Sequence, residues 1–226
     1  MILEYRTFSE CGPRWKNEDT LGCVVMREQQ RAMFILCDGM GGHRNGDIAS
    51  QTVVKSICNY WHGNPERRDC GKKIVDACNE AKVAIEKRQQ VEMGTTMVMA
   101  ALEDGMTRIA HCGDSRCYHF HKRSLSHWHT TDHRAKTPEG WEYVARGFVQ
   151  GEDTYLPEIN EHALSKGDYL LLCSDGLYNC FTDEEEIRHL RGSITDIDEL
   201  HAILLQRGEE KARDNYSAII IKITDI

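Results

Sequence analysis

Residues 35–47 read ILCDGMGGHRNGD. An apolar run ends at Asp38, and glycines 39, 41, 42 and 46 follow before a second acid, Asp47. The stretch is open to three readings: a plain turn, a phosphate cradle or an oxygen-rich metal site. A Walker-type cradle needs G-x-x-x-x-G-K-[ST], and no lysine follows these glycines. Other apolar or strand-like runs also end in acids: Glu18 and Asp19 in WKNEDT, Asp114 in IAHCGDS, Asp175 in LLLCSDGL and Asp214 in KARDNYS. Strand ends are where a layered sheet gathers residues that are distant in sequence. Carboxylates collected there repel one another unless a cation sits between them. Hard divalent ions such as Mg²⁺ and Mn²⁺ take carboxylates, carbonyls and water. Glycine beside Asp38 lets a backbone carbonyl approach such an ion with no side chain in the way. The opening stretch therefore fits an oxygen-ligand metal site better than a phosphate cradle.

The elements that must position these acids come in blocks. TLGCVVMRE and RAMFILCD are strand-like and are separated by a polar turn at Gln29 and Gln30. GDIASQTVVKSICNYW carries Ile48, Val53, Ile57 and Trp61 near helical spacing, and CGKKIVDACNEAKVAIEKRQQ repeats this with Ile74, Ala77, Ala81 and Ile85. The strand-like runs TTMVMAALE, MTRIAHCGD, SRCYHFHK and SHWHTTD follow, then a weakly patterned segment from Arg134 to Leu156. DYLLLCSDG reads as a buried strand, DEEEIRHLR and IDELHAILLQRGEEKA as helices, and NYSAIIIKIT as a closing strand. Paired helices between groups of consecutive strands predict a layered α+β domain and not alternating βαβ units.

Composition narrows the classes. The chain has 226 residues, 40% of them hydrophobic, enough for a substantial core. With 36 acids against 28 bases its formal net charge is −8, which disfavours a nucleic-acid partner. No run of 18 apolar residues predicts a membrane span. The first residues are charged within four positions and lack the apolar core of a signal peptide. Ten cysteines are scattered with no C-x-x-C pair, mostly inside apolar runs, and read as reduced, buried thiols of a cytoplasmic protein.

The segments GPRWKNED, DGMGGHRNGDIAS, MGTTMVMAAL, AHCGDSRCY, TTDH, GDYLLLCSDGL, FTDEEEI and RDNYSAIIIKI stand in the order and approximate spacing of a known family. From about Arg14 to Ile223 the chain resembles the metal-dependent Ser/Thr protein phosphatases of type 2C, in their compact bacterial form. Each motif alone is weak, but eight in order are specific. The resemblance implies an α+β fold: a four-layer α-β-β-α sandwich with two central antiparallel sheets and a dinuclear metal centre at one end. It spans one domain, 1–226. It implies two Mn²⁺ or Mg²⁺ ions, with a place for a third. Asp38 resembles the carboxylate bridging two ions, and the Gly39 carbonyl binds one of them. Asp175 and Asp214 resemble ligands of the other. Asp114 resembles a ligand of the looser third ion, shared with Asp175. Glu18 and Asp19 bind metal directly or through water. Arg14 matches the arginine that grips the substrate phosphate. Asn215 and His43 support the site without holding an ion. Two such ions about 3.5–4 Å apart can share a water and lower its pKa toward neutrality, so that it attacks phosphorus in line with the leaving Ser or Thr oxygen. The implied partners are a phosphorylated protein and a Ser/Thr kinase counterpart, with no nucleic acid and no membrane, and the expected state is a monomer.

Departures from the pattern matter. Met40 stands where animal members carry a histidine proposed as general acid, so the leaving-group proton must come from elsewhere. His43 is close by and reads as a loop or substrate-rim residue ahead of a general acid. After TTDH the family carries a longer flap, whereas Arg134 to Arg146 is only 13 residues. A clipped flap around 134–146 predicts weaker selection of protein substrates and keeps hydrolysis of a small phosphomonoester open. A third possibility is a phosphatase fold that has lost catalysis and serves as a binding module; the full set of acids argues against it.

Two further patterns need weighing. CYHFHKR, Cys117 to Arg123, formally matches the C-x₅-R of cysteine phosphatases, but it alternates like a strand and lacks the small residues of a phosphate loop. His119, His121, His127 and His129 alternate on two neighbouring runs. A hairpin turning near Ser124 pairs 119 with 129 and 121 with 127. That register puts all four imidazoles on one face, either an exposed polar face or a Zn²⁺ site, with Tyr118, Phe120 and Trp128 on the other.

Overall fold

The computed structural model describes residues 1–40, 45–67, 69–88, 93–122, 127–183, 186–187, 189, 192 and 196–226. One five-stranded sheet runs in the order β1 (Ile2–Glu10), β14 (Tyr216–Asp225), β13 (Tyr169–Cys173), β7 (Arg116–Phe120) and β8 (His127–His129). The other runs β12 (Glu158–Ala163), β6 (Met106–Cys112), β5 (Met97–Glu103), β3 (Arg31–Asp38) and β2 (Asp19–Met26). Every pairing in both sheets is antiparallel. Two small two-stranded sheets are also described: β4 (Gly94–Thr95) with β11 (Phe148–Val149), and the hairpin of β9 (Arg134–Lys136) with β10 (Glu142–Val144). The α-helices described in full are α1 (Gly46–Gly63), α2 (Cys70–Glu86), the single turn α3 (Asp175–Tyr178) and α4 (Ile197–Lys211). Asp69 caps α2 by accepting the Lys72 N–H, and Asp196 caps α4 by accepting those of Asp198 and Glu199.

Period-2 alternation sorts the side chains into three apolar layers. On β3, Ala32, Phe34 and Leu36 point between the sheets, while Met33, Ile35 and Cys37 meet α1 and α2. On β14, Ile219, Ile221 and Ile223 face the inter-sheet layer, and Ala218 and Ile220 face α3 and α4. Burial on both faces explains why the central strands read as unbroken apolar runs. The result is the expected α-β-β-α sandwich.

Several elements depart from the sequence reading. The N-terminal segment carries β1, and PEINEHA carries β12, neither of which was expected. Both are edge strands with one largely exposed face, so their alternation is diluted by charged residues. Of the thiols, Cys23 is exposed and Cys11 and Cys58 are only half-buried, although all ten are free. The DEEEIRHLR helix lies partly outside the described residues. The β7–β8 hairpin is shifted by one: Tyr118 pairs with His129, His119 with Trp128 and Phe120 with His127. A one-residue slip moves a whole side-chain set to the opposite face. His127 and His129 therefore share the outer face with Tyr118 and Phe120, and the four histidines do not converge. The register follows the apolar residues: Tyr118 and Phe120 enter the layer beneath α3 and α4, while Trp128 packs on the inter-sheet layer. Ser124 itself lies outside the described residues.

Leu36 is fully buried between the sheets, so Leu36→Ala is expected to lower stability by about 2–5 kcal/mol in a denaturant titration.

Candidate metal centre

The acids gather at one end of the sandwich because antiparallel strands alternate in direction. The C-terminal ends of β3, β6 and β13 and the N-terminal ends of β2, β7 and β14 meet there. Asp38 ends β3 and Asp19 begins β2, directly opposite each other in the register. Asp114 sits in the turn between β6 and β7, Asp175 begins α3 just beyond β13, and Asp214 lies two residues before β14. Asp38, Gly39, Glu18, Asp114, Asp175 and Asp214 line a cleft of about 1010 Å³, together with Arg14, Lys16 and Met40. Asp19 does not line it and is 8% exposed.

Short-range bonds fix Asp38, Asp19 and Glu18. The Asp38 N–H donates to Thr96 Oγ1 at 3.1 Å, and its carbonyl accepts the Thr96 N–H at 2.9 Å and the Thr95 hydroxyl at 2.8 Å. Ser174 Oγ donates to Asp19 Oδ2 at 2.8 Å and accepts the Ser217 N–H at 3.0 Å. The Asn215 side chain accepts the Glu18 N–H at 2.9 Å and donates to the carbonyls of Cys11 and Lys16. It thereby ties the 11–18 segment to the start of β14. A Cβ on Gly39 would stand 2.5 Å from the Gly46 backbone, and one on Gly176 would stand 2.0 Å from the Asn215 carbonyl oxygen. Only glycine allows α1 to press on the end of β3, and α3 on the residues that precede β14.

The electrostatics are those of crowded anions. Burial, with Asp19, Asp175, Asp114 and Asp214 nearby, holds the Asp38 carboxyl well above its ordinary range. Burial pushes Asp19 up to about 6 despite hydrogen bonds from Ser217 and Ser174. Burial followed by Asp114 and Asp214 pushes Asp175 up to about 6. Asp114 and Glu18 are also raised, mainly by burial. Two arginines offset part of the charge. Arg14 meets Asp214 Oδ2 at 2.6 Å; Arg134 meets Asp114 Oδ2 at 2.7 Å and reaches Asp175 Oδ2 at 3.8 Å. Asp19 Oδ1 is buried with no hydrogen-bond partner. An all-oxygen donor set, raised carboxyl pKa values and an orphaned carboxylate oxygen all fit hard divalent cations.

The structure thus brings Asp38, Gly39, Glu18, Asp114, Asp175, Asp214 and Arg14 to one cleft, with Asp19 and Asn215 against its wall. His43 lies outside the described residues. Sequence reasoning gave no role to Thr95, Thr96 or Ser174, although MGTTMVMAAL and LLLCSDGL contain them. It also missed Arg134, whose guanidinium lies between Asp114 and Asp175, the two acids expected to share a third ion. The only sequence signal for it was a cation directly after TTDH.

A family model described as protein phosphatase 2C matches residues 15–213. The chain is 27% identical to the protein phosphatase PhpP of Streptococcus pneumoniae over 94% of each chain. It is 26% identical to a serine/threonine phosphatase, stp, of Listeria monocytogenes, covering 98% of this chain and 96% of that one. It superposes with a TM-score of 0.79, at 26% identity over 99% of each chain, on the catalytic domain of the serine threonine protein phosphatase PstP in complex with two manganese ions.

Two predictions follow from the charge balance. The carboxyl of Asp175 sits near 6 when folded against 3.8 ordinarily, so its contribution to stability is present below pH 4 and lost as pH rises through 6. Asp175→Asn is therefore expected to stabilise the metal-free protein at pH 7.5, by about 1–2 kcal/mol, while reducing the rise in melting temperature caused by Mn²⁺. Arg134→Ala leaves Asp114 and Asp175 uncompensated. It should lower the metal-free melting temperature, by about 1–3 kcal/mol of stability, and enlarge the Mn²⁺-induced rise. Thermal melts with and without Mn²⁺ check both.

Proposed function

The chain belongs to the protein phosphatase 2C family, and on that premise we propose that it hydrolyses phosphoserine and phosphothreonine in proteins at the acidic cleft. The observation that carries this reading is the convergence of Glu18, Asp38, Asp114, Asp175 and Asp214 from separate strand ends beside Arg14. The enzyme is a metal-dependent hydrolase using Mn²⁺ or Mg²⁺. Asp38, the Gly39 carbonyl, Asp175 and Asp214 would hold the two ions, with Glu18 and Asp19 contributing directly or through water. When bound, such ions supply an ionised water and neutralise charge on the phosphoryl oxygens.

The chain's own residues do the rest. Arg14 is half-exposed in the cleft and paired with Asp214. A guanidinium presents the same planar fork to carboxylate and to phosphate, so Arg14 exchanges its partner for the substrate phosphoryl group and orients it. Thr95 and Thr96 keep the Asp38 backbone fixed, and Ser174 keeps Asp19 fixed, so little reorganisation accompanies the reaction. In the net reaction the water oxygen bonds to phosphorus as the bond from phosphorus to the Ser or Thr oxygen breaks. That oxygen takes up a proton, and inorganic phosphate leaves. Met40 lines the cleft and cannot supply the proton.

The 226 residues are read as one phosphatase domain whose flap is reduced to the β9–β10 hairpin. Trp141 and Tyr143 on this hairpin are exposed, which suits contact with a protein substrate that a Ser/Thr kinase has phosphorylated. The same short flap supports a second reading, hydrolysis of small phosphomonoesters. No helix among the described residues is long and apolar enough to cross a membrane. Ten free thiols support a reducing, cytoplasmic setting.

Phosphate release from a phosphothreonine peptide and from p-nitrophenyl phosphate, with Mn²⁺, Mg²⁺ or EDTA, tests the reading. Activity should require metal and favour the peptide; a preference for the small ester selects the second reading, and metal-independent turnover rejects both. Asp38→Asn should abolish turnover with the fold retained. Arg14→Ala should lower kcat/KM by roughly two orders of magnitude, as loss of a donor to the transferring group does elsewhere.

A further inference from the structure

The opposite end of the sandwich holds a second group of ligating side chains. His119 pairs with Leu170, a residue of the inter-sheet layer, so its ring lies between the sheets and is fully buried. His121 follows the end of β7, and Asp168, 1% exposed, precedes β13. His162 reaches the same place from β12 of the other sheet, its ring centroid 5.5 Å from that of His119 and covered by Trp128. β13 runs from this cluster to Asp175, so a five-residue strand of roughly 17 Å separates it from the cleft.

Asp168 is the centre of the cluster. Asp168 accepts the N–H groups of Lys122 at 3.1 Å and Ser165 at 2.9 Å. The imidazoles converge on the same carboxylate: His119 Nε2 hydrogen-bonds Asp168 Oδ2 at 3.2 Å, and His121 Nδ1 lies 3.6 Å from that oxygen. A charge-assisted bond is ordinarily about 2.7–2.9 Å. Two neighbouring ligand atoms of a tetrahedral ion, each about 2.0–2.1 Å from it, lie about 3.3–3.4 Å apart. One ligand atom from each of His119, His121 and Asp168 falls within 4.8 Å of the other two. Two ring nitrogens, His119 Nδ1 and His162 Nε2, are buried with no hydrogen-bond partner.

We propose that His119, His121 and Asp168 form a second metal site that takes a borderline transition-metal ion, Zn²⁺ foremost, with His162 beside it. Two imidazoles and one carboxylate suit Zn²⁺ better than Mg²⁺ or Mn²⁺, which prefer the all-oxygen cleft at the other end. The site joins the end of β7 to the turn before β13 and stabilises the folded chain by mass action.

The test uses protein dialysed against EDTA and then freed of chelator. An Asp38→Asn, Asp175→Asn double variant weakens binding at the cleft, and Zn²⁺ is titrated by calorimetry into it and into the same chain with His121→Ala added. His121 is half-buried, so its truncation spares the core. The first protein is expected to take up one Zn²⁺ equivalent that the second binds roughly tenfold or more less tightly, with a smaller Zn²⁺-induced rise in melting temperature in the second. Equal binding in both, or none in either, overturns the site and leaves Asp168 as an anchor for its turn. His121→Ala alone should keep the Mn²⁺-dependent phosphate release of the unaltered chain; loss of that release overturns a site separate from the cleft.

Discussion

Asp19 and Asp38 face each other across neighbouring antiparallel strands. Like charges directly opposite in a sheet repel, and here the repulsion is sharpened by burial and by the carboxylates of Asp175, Asp114 and Asp214. The metal-free protein contains this repulsion in three ways. Protonation is favoured, Arg14 and Arg134 are drawn into ion pairs, and serine and threonine hydroxyls bond to the aspartates or to their backbone. The remainder of the fold supports these close approaches. The glycines at 39 and 176 and the side chain of Asn215 bring separate segments together at one end of a sandwich whose interior is apolar on both faces of each sheet.

The same arrangement explains how stability and activity oppose each other. A side chain that holds a divalent ion must be a charged oxygen donor, and a charged oxygen donor is costly here until an ion arrives. The apolar layers offset that cost. Leu36, Val98, Leu172 and Ile219 occupy the middle of the sandwich while the acids occupy its rim, so the energetically favourable and unfavourable groups are separated along the same strands.

Much of this was legible in the chain itself. The central strands carry β-branched and apolar runs that end abruptly in aspartate, and a rim of acids is what such runs predict when strands stack in layers. The apolar periodicity of α1 and α2 was equally plain. The edges were harder. β1 and β12 pack one face and expose the other, and their alternation is weak beside that of the interior strands. The β7–β8 register was misread because histidine spacing was weighed above the packing of Tyr118, Phe120 and Trp128. Arg134 was missed because its role depends on where Asp114 and Asp175 meet, a property of the folded chain alone.

Seven carboxylates line the cleft, Glu142 and Glu152 with the five acids named above, and they outnumber its basic residues Arg14 and Lys16 and the neighbouring Arg134. Before cations enter, the charge that protonation and the arginines leave uncompensated disfavours a dianion there, a phosphoester included. The order of arrival is thereby imposed by Coulomb repulsion: inorganic ions first, phosphorylated chain second. A divalent ion at this cleft therefore does more than complete the site: it turns a repulsive field into an attractive one.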